Sequence, residues 1–131
     1  EVYMFQIDAM SRTPIYEQII EQIERYVMTG ILKPGEQIPS VRSLSIDLSI
    51  NPNTIQKAYS ELDLRGVIFS VPGKGCYVCD DAMSVLSEYQ RSKVDELANM
   101  IKGMAFAGVK KDEVIKLVED VYLSIKKEEK E

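Results

Sequence analysis

Histidine is absent from the 131 residues. With it go the commonest general base, the commonest zinc ligand and the usual partner of a catalytic serine or cysteine. Cysteine is scarce: only Cys76 and Cys79 occur, three positions apart in a strand-like stretch. Their side chains therefore point to opposite faces, which makes a mutual disulfide or a shared metal awkward. Two thiolates without an imidazole leave a zinc site half filled. They read as plain structural cysteines, kept reduced in a cytosolic protein. No apolar run approaches the roughly 18 residues that span a bilayer, and no signal-peptide pattern opens the chain. A cytoplasmic protein without membrane contact is expected. Internal repeats and low-complexity segments are also missing. No carboxylates cluster away from charged helix faces, so there is no coupled acid–base pair on which to build an enzyme. Neither a metal nor another cofactor is expected.

What is present is an ordinary globular composition, 45% hydrophobic, with a net charge of -5. That sign argues against an indiscriminate polyanion binder. Its distribution matters more. From Pro39 to Gly75 four basic residues (Arg42, Lys57, Arg65, Lys74) face three acidic ones (Asp47, Glu61, Asp63). From Asp80 to Glu131 nine basic residues face twelve acidic ones. The acidity lies mostly outside the middle segment, where a locally positive surface is permitted.

The first ten residues alternate weakly (Val2, Met4, Phe5, Ile7) and read as an extended arm or short strand. Helical spacing of Ile15, Ile19, Ile20, Ile23 and Val27 predicts an amphipathic helix over 14–29. Thr13 is its expected N-cap, Pro14 its first residue and Gly30 its stop. After the turn Leu32-Lys33-Pro34-Gly35-Glu36, Ser40 is placed to cap a second helix carrying Val41, Leu44, Ile46 and Leu48. Pro52 closes that helix before Asn51 and opens a third, capped by Asn51. The third helix carries Ile55, Ala58, Tyr59, Leu62 and Leu64, and Gly66 ends it. Two helices separated by about three residues have the spacing of a helix-turn-helix. The period then switches to two over 67–71 and 76–79, around Pro72-Gly73-Lys74-Gly75, which predicts a β-hairpin wing. Asp80-Asp81 marks a composition shift. Beyond it Leu86, Tyr89, Val94, Leu97, Ile101 and Met104 form one helical stripe, and Val114, Leu117, Val118, Val121 and Ile125 another. The expected fold is α+β and mainly helical: a winged helix-turn-helix over 1–79, then a two-helix dimerisation hairpin over 80–131.

The run Pro34-Gly35-Glu36-Gln37-Ile38-Pro39-Ser40-Val41-Arg42-Ser43-Leu44 reaches beyond fold class. Together with Asn51-Pro52-Asn53-Thr54-Ile55-Gln56-Lys57-Ala58-Tyr59-Ser60-Glu61-Leu62 and Gly73-Lys74-Gly75, it resembles the GntR family of bacterial repressors, from about Pro14 to Val78. The short helical tail resembles the YtrA-type subfamily, whose members often sit beside transporter operons. Cys76 departs from the pattern, which has an aromatic or small residue there. The resemblance implies a sequence-specific repressor of a neighbouring operon, and it implies that Arg42 contacts DNA.

The residues support such an interface in their own right. A recognition helix enters the major groove through short or forked polar side chains near its N-terminus. Asn53 and Gln56 suit adenine edges, Lys57 a guanine or a phosphate, and Thr54 a phosphate or a thymine methyl. Asn51 is open to two roles, contact or capping alone. Ser40 and Arg42 begin a helix whose amides favour phosphate, with an ion pair from Arg42 to Asp47 or Glu36 as the plainer alternative. Lys74 and Gly75 stand at the wing tip, where the backbone can approach a duplex closely. Tyr59 reads as core.

A lone hairpin cannot bury two apolar stripes. Pairing two tails into a four-helix bundle through Leu86, Tyr89, Leu97, Ile101, Met104, Val114, Leu117, Val118, Val121 and Ile125 would bury them. The resulting two-fold axis suits a pseudo-palindromic operator on double-stranded DNA. The alternative is a tail folded back on its own winged helix. A small-molecule inducer, if there is one, would act at the dimer or interdomain interface. A competing function is a winged helix turned to protein contacts, with no operator.

Overall fold

Ile19, Ile20, Ile23 and Val27 share one face of α1 (Ile15–Met28) and are buried. The computed structural model describes residues 5–130, with side chains through 127. These form six helices and three strands. α1 begins one residue later than its pattern suggests. Pro14 itself occupies the N-cap, at φ -55° and ψ 149°, and no side chain caps the helix. Thr13 instead gives its carbonyl to Gln18 Nε2 at 2.8 Å.

No strand forms in the arm among the described residues, and Val2 and Met4 lie outside them. Side-chain amides of α1 take the place of a neighbouring strand. Gln18 accepts from the Asp8 N–H and donates to the Asp8 carbonyl, both at 2.9 Å. Gln22 makes the same reciprocal pair with Gln6. Phe5 packs edge-on against Tyr26, with ring centroids 5.7 Å apart.

α2 (Val41–Leu48) and α3 (Pro52–Leu64) form the helix-turn-helix. Both expected caps are made: Ser40 Oγ accepts from the Ser43 N–H at 3.0 Å, and Asn51 Oδ1 from the Asn53 N–H at 2.8 Å. Ser49 turns the chain in the left-handed region at φ 54°. Ser45 Oγ secures that turn by donating to the Ile50 carbonyl at 2.6 Å. Two apolar residues fall outside the stripes assigned to them. Ile46 is 68% exposed and Leu64 82% exposed, because each sits on the far side of its helix from Leu44 and Leu62.

β2 (Ile68–Val71) and β3 (Gly75–Val78) pair antiparallel, with Phe69 opposite Tyr77 and Ser70 opposite Cys76. A third strand, β1 (Gln37–Ile38), adds to the free edge of β3, so the sheet order is β1-β3-β2. Two residues are too few to show a period, which is why the sequence pattern gives no sign of β1.

The compact unit does not stop at Asp80-Asp81. α4 (Ala82–Ser92) puts Ala82 and Leu86 into the same core as α1 and α3, and the first of two compact units extends through Tyr89. The second unit, from Gln90, holds α5 (Val94–Phe106) and α6 (Lys111–Lys130), with Gly108 between them at φ 92°. The first apolar stripe of the tail is therefore split between two helices. α4 tightens and ends where the Lys93 N–H bonds to the Gln90 carbonyl at 3.1 Å.

The exposures of two neighbouring leucines predict opposite outcomes. Leu62→Ala should cost about 2–5 kcal/mol, whereas Leu64→Ala should stay within about 0.5 kcal/mol of the parent. Urea midpoints measured side by side would check both.

Candidate nucleic-acid interface

Because Ile55, Ala58, Tyr59 and Leu62 face the core, the 100° step of the helix turns Asn53, Gln56 and Lys57 outward. These three are exposed and Thr54 is half-buried. Gln56 Nε2 lies 3.1 Å from Ser60 Oγ, which extends the polar edge by a turn. Asn51, at the head of the same helix, spends its side-chain oxygen on the cap.

Ser40 and Arg42 stand at the start of α2. The Ser40 hydroxyl oxygen is engaged in its own cap. Arg42 is exposed and pairs with neither Asp47 nor Glu36, since the described ion pairs involve only Arg65 and Lys116. Neither α2 nor α3 carries an acidic residue in its first turn. Within those first turns no carboxylate competes for the N-terminal amides and their partial positive charge. Tyr59 ties the entry of α2 to the middle of α3. Its hydroxyl donates to the Pro39 carbonyl at 2.6 Å, one residue before the α2 cap.

At the wing, Lys74 is exposed and Gly75 half-buried. Gly73 and Gly75 both hold positive φ, 77° and 122°. The Lys74 carbonyl accepts from Gln37 Nε2 at 2.9 Å.

Three neighbours of this surface were not legible in the pattern. Tyr16 of α1 lies under Lys57, whose Nζ is 3.9 Å from the ring centroid. Gln37 is the wing's partner. Arg65, at the end of α3, contacts Glu61 and Glu24, each at 3.2 Å, and lies 5.5 Å from the Tyr89 ring centroid. Only the Glu61–Arg65 pair has a local signature, the i, i+4 spacing. The remaining contacts join segments far apart in the chain. A polar cleft of about 390 Å³ runs beside them, with Tyr16, Lys57, Arg65 and Tyr89 among its lining residues.

Both cysteines are free thiols of intermediate burial. Cys76 Sγ sits 3.3 Å from Ser70 Oγ. Burial, then the carboxylates of Asp81, Asp63 and Asp80, push the Cys79 thiol up, away from the thiolate form. Among the described residues, no group of His, Cys, Asp or Glu is arranged to hold a metal ion.

Of the residues assigned to dimerisation, Leu86 is 1% exposed inside the first unit, so it does not belong to a free stripe. Tyr89, Leu97, Leu117, Val118, Val121 and Ile125 are exposed, whereas Ile101, Met104 and Val114 are half-buried. Val94, Met100, Phe106, Ile115, Tyr122 and Leu123 add to the exposed apolar surface. Among the described residues no helix is long and apolar enough to cross a membrane.

A family model for bacterial regulatory proteins, gntR family, matches residues 15–78, from the first residue of α1 to the last of β3. The HTH-type transcriptional repressor YtrA of Bacillus subtilis is 39% identical over 124 residues, covering 94% of this chain and 95% of that protein. A Listeria monocytogenes protein described as a transcriptional antiterminator superposes with a TM-score of 0.73 at 36% identity, covering 92% of this chain and 90% of that one. The AraR DNA-binding domain in complex with operator ORE1 superposes with a TM-score of 0.50 at 27% identity, covering 60% of this chain and 95% of that one.

Burial first, and Cys76 second, hold the Tyr59 phenol above its usual range. A raised folded pKa means this contribution to stability is fully present below the unfolded phenol value, about pH 10, and is lost as pH rises beyond it. Tyr59→Phe should cost about 0.5–1.5 kcal/mol at neutral pH, more if the Pro39 carbonyl is left unpaired. The gap between parent and variant should narrow above about pH 10, which a pH series of urea midpoints would show.

Proposed function

This chain belongs to the GntR family of bacterial regulatory proteins and is a DNA-binding transcription regulator of the YtrA type; from that premise we propose that it represses transcription as a homodimer on a pseudo-palindromic operator. The observation that carries the reading is the outward polar edge of α3, Asn53 to Lys57, backed by four buried side chains. Such an edge supplies base-reading groups on a rigid support. The N-termini of α2 and α3, with Arg42 beside them, supply phosphate contacts that set register. Lys74 extends the contact along the backbone. The operator-bound AraR domain supports this placement by likeness of fold.

Exposed apolar surface on the tail supports dimerisation. Among the described residues none beyond Leu86 is buried, although α5 and α6 carry most of the apolar residues of the tail. Exposed apolar surface on this scale marks an interface. A second copy would bury it in a helical bundle and bring two α3 edges into one assembly. The operator is proposed to lie beside the regulator's own gene, with transporter genes as first candidates. An inducer would act by changing the separation of the two α3 helices, through the dimer interface. The protein works in the cytoplasm and performs no catalysis.

Selection from a random duplex pool tests the reading. One palindromic sequence should be enriched, with binding that weakens steeply as salt rises. On that duplex Arg42→Ala should weaken binding broadly and flatten the salt dependence by about one counterion, whereas Gln56→Ala should cost about 1–3 kcal/mol and relax base preference at one position. Equal loss on selected and random duplexes for Gln56→Ala would contradict its role as a base reader, and an unchanged salt dependence in Arg42→Ala would contradict the phosphate contact. The interface has a separate check. Leu117→Glu should yield monomers by analytical ultracentrifugation and loosen operator binding, and a dimer unaffected by the change would place the interface elsewhere.

A further inference from the structure

Lys74 has its backbone tied from both sides. Its N–H donates to the Val71 carbonyl at 2.9 Å, closing a turn whose central residues are Pro72 and Gly73. Proline followed by glycine at φ 77° is the type II arrangement. Its carbonyl accepts from Gln37 Nε2 at 2.9 Å. Gln37 belongs to β1 and pairs with Tyr77 of β3, so its amide reaches the tip along the edge of the sheet. Gly75 leaves the space that this amide fills: a Cβ there would stand 2.7 Å from Gln37 Nε2. The Lys74 side chain, by contrast, is exposed and enters none of the described ion pairs.

We propose that Gln37 is a positioning residue of the DNA interface, one that touches no DNA itself but aims Lys74 at the duplex backbone. The inference rests on the reading of α3 and the wing as the DNA-facing surface. Lys74 is flanked by two glycines, which allow the tip many backbone conformations. Held only by its turn, the tip would have to be ordered at the moment of binding, and that cost would subtract from affinity. The Gln37 bond orders it beforehand. On this view Gly75 serves first as clearance for the Gln37 amide.

Gln37→Met keeps the length of the side chain and removes the donor. On the selected operator it should weaken binding about three- to tenfold, the worth of one neutral hydrogen bond, and flatten the salt dependence toward that of Lys74→Ala. In a Lys74→Ala background the same change should cost nothing further in affinity. Wild-type affinity and salt dependence in Gln37→Met would overturn the inference. So would an equal loss in both backgrounds, since Gln37 would then act other than through Lys74. Unchanged salt dependence in Lys74→Ala would remove the wing contact and this inference with it, while leaving operator recognition intact. A wild-type chain that prefers no duplex over random DNA would overturn the functional reading as well, and that failure is distinguishable because it appears before any substitution is made.

Discussion

Ile55, Ala58, Tyr59 and Leu62 are each at most 2% exposed and come from one face of α3. Fully burying side chains of the larger kind is worth about 1.5–3 kcal/mol each, so the rotation of α3 about its axis is strongly set. With that rotation set, Asn53, Gln56 and Lys57 have only the opposite face to occupy. Tyr59 adds a directional element that apolar burial lacks. Its bond to the Pro39 carbonyl fixes the entry to α2 against the middle of α3. The two helix N-termini, with Ser40 and Arg42 at one and Asn51 to Thr54 at the other, are thus held in register by a single buried side chain.

A second constraint sits at the far end of α3. Glu24 is a buried carboxylate, 5% exposed, and Arg65 reaches it at 3.2 Å while also bonding Glu61. A charge this buried is tolerable only when paired. The pair joins α1 to α3 without engaging Asn53 or Gln56 of the polar edge. Lys57 shares that side of the helix through its contact with Tyr16, a ring face that attracts a cation at modest cost in solvation. α3 therefore has its core face packed, one flank tied to α1 and its N-terminal edge left to solvent.

The two compact units follow different physical logic. The first closes its own core, to which α4 contributes Ala82 and Leu86. Among the described residues the second closes none: α5 and α6 keep Leu97, Leu117, Val118 and Val121 about half exposed or more. A helix pair with such faces is stabilised by what covers it, which is why the oligomeric proposal rests on the tail and the recognition proposal on the winged helix.

Local periodicity was enough to read α1, though not its cap, and the helix-turn-helix, the hairpin and the caps of α2 and α3, because each depends on residues within a few positions of one another. Ser40 and Asn51 cap as their spacing requires, and the turn at Pro72-Gly73 is written in its residue types. The polar edge from Asn53 to Lys57 was legible for the same reason. Periodicity failed where it had to say which of several apolar residues lies inside. Ile46 and Leu64 point outward, Leu86 joins the first core rather than a free stripe, and the expected long helix of the tail divides at Lys93. Strand β1, the Glu24–Arg65 pair, the Tyr16 platform for Lys57 and the Gln37 bond to the wing were decided by tertiary structure alone. Each joins residues from different elements, and a contact made across the fold leaves no period or spacing in the chain.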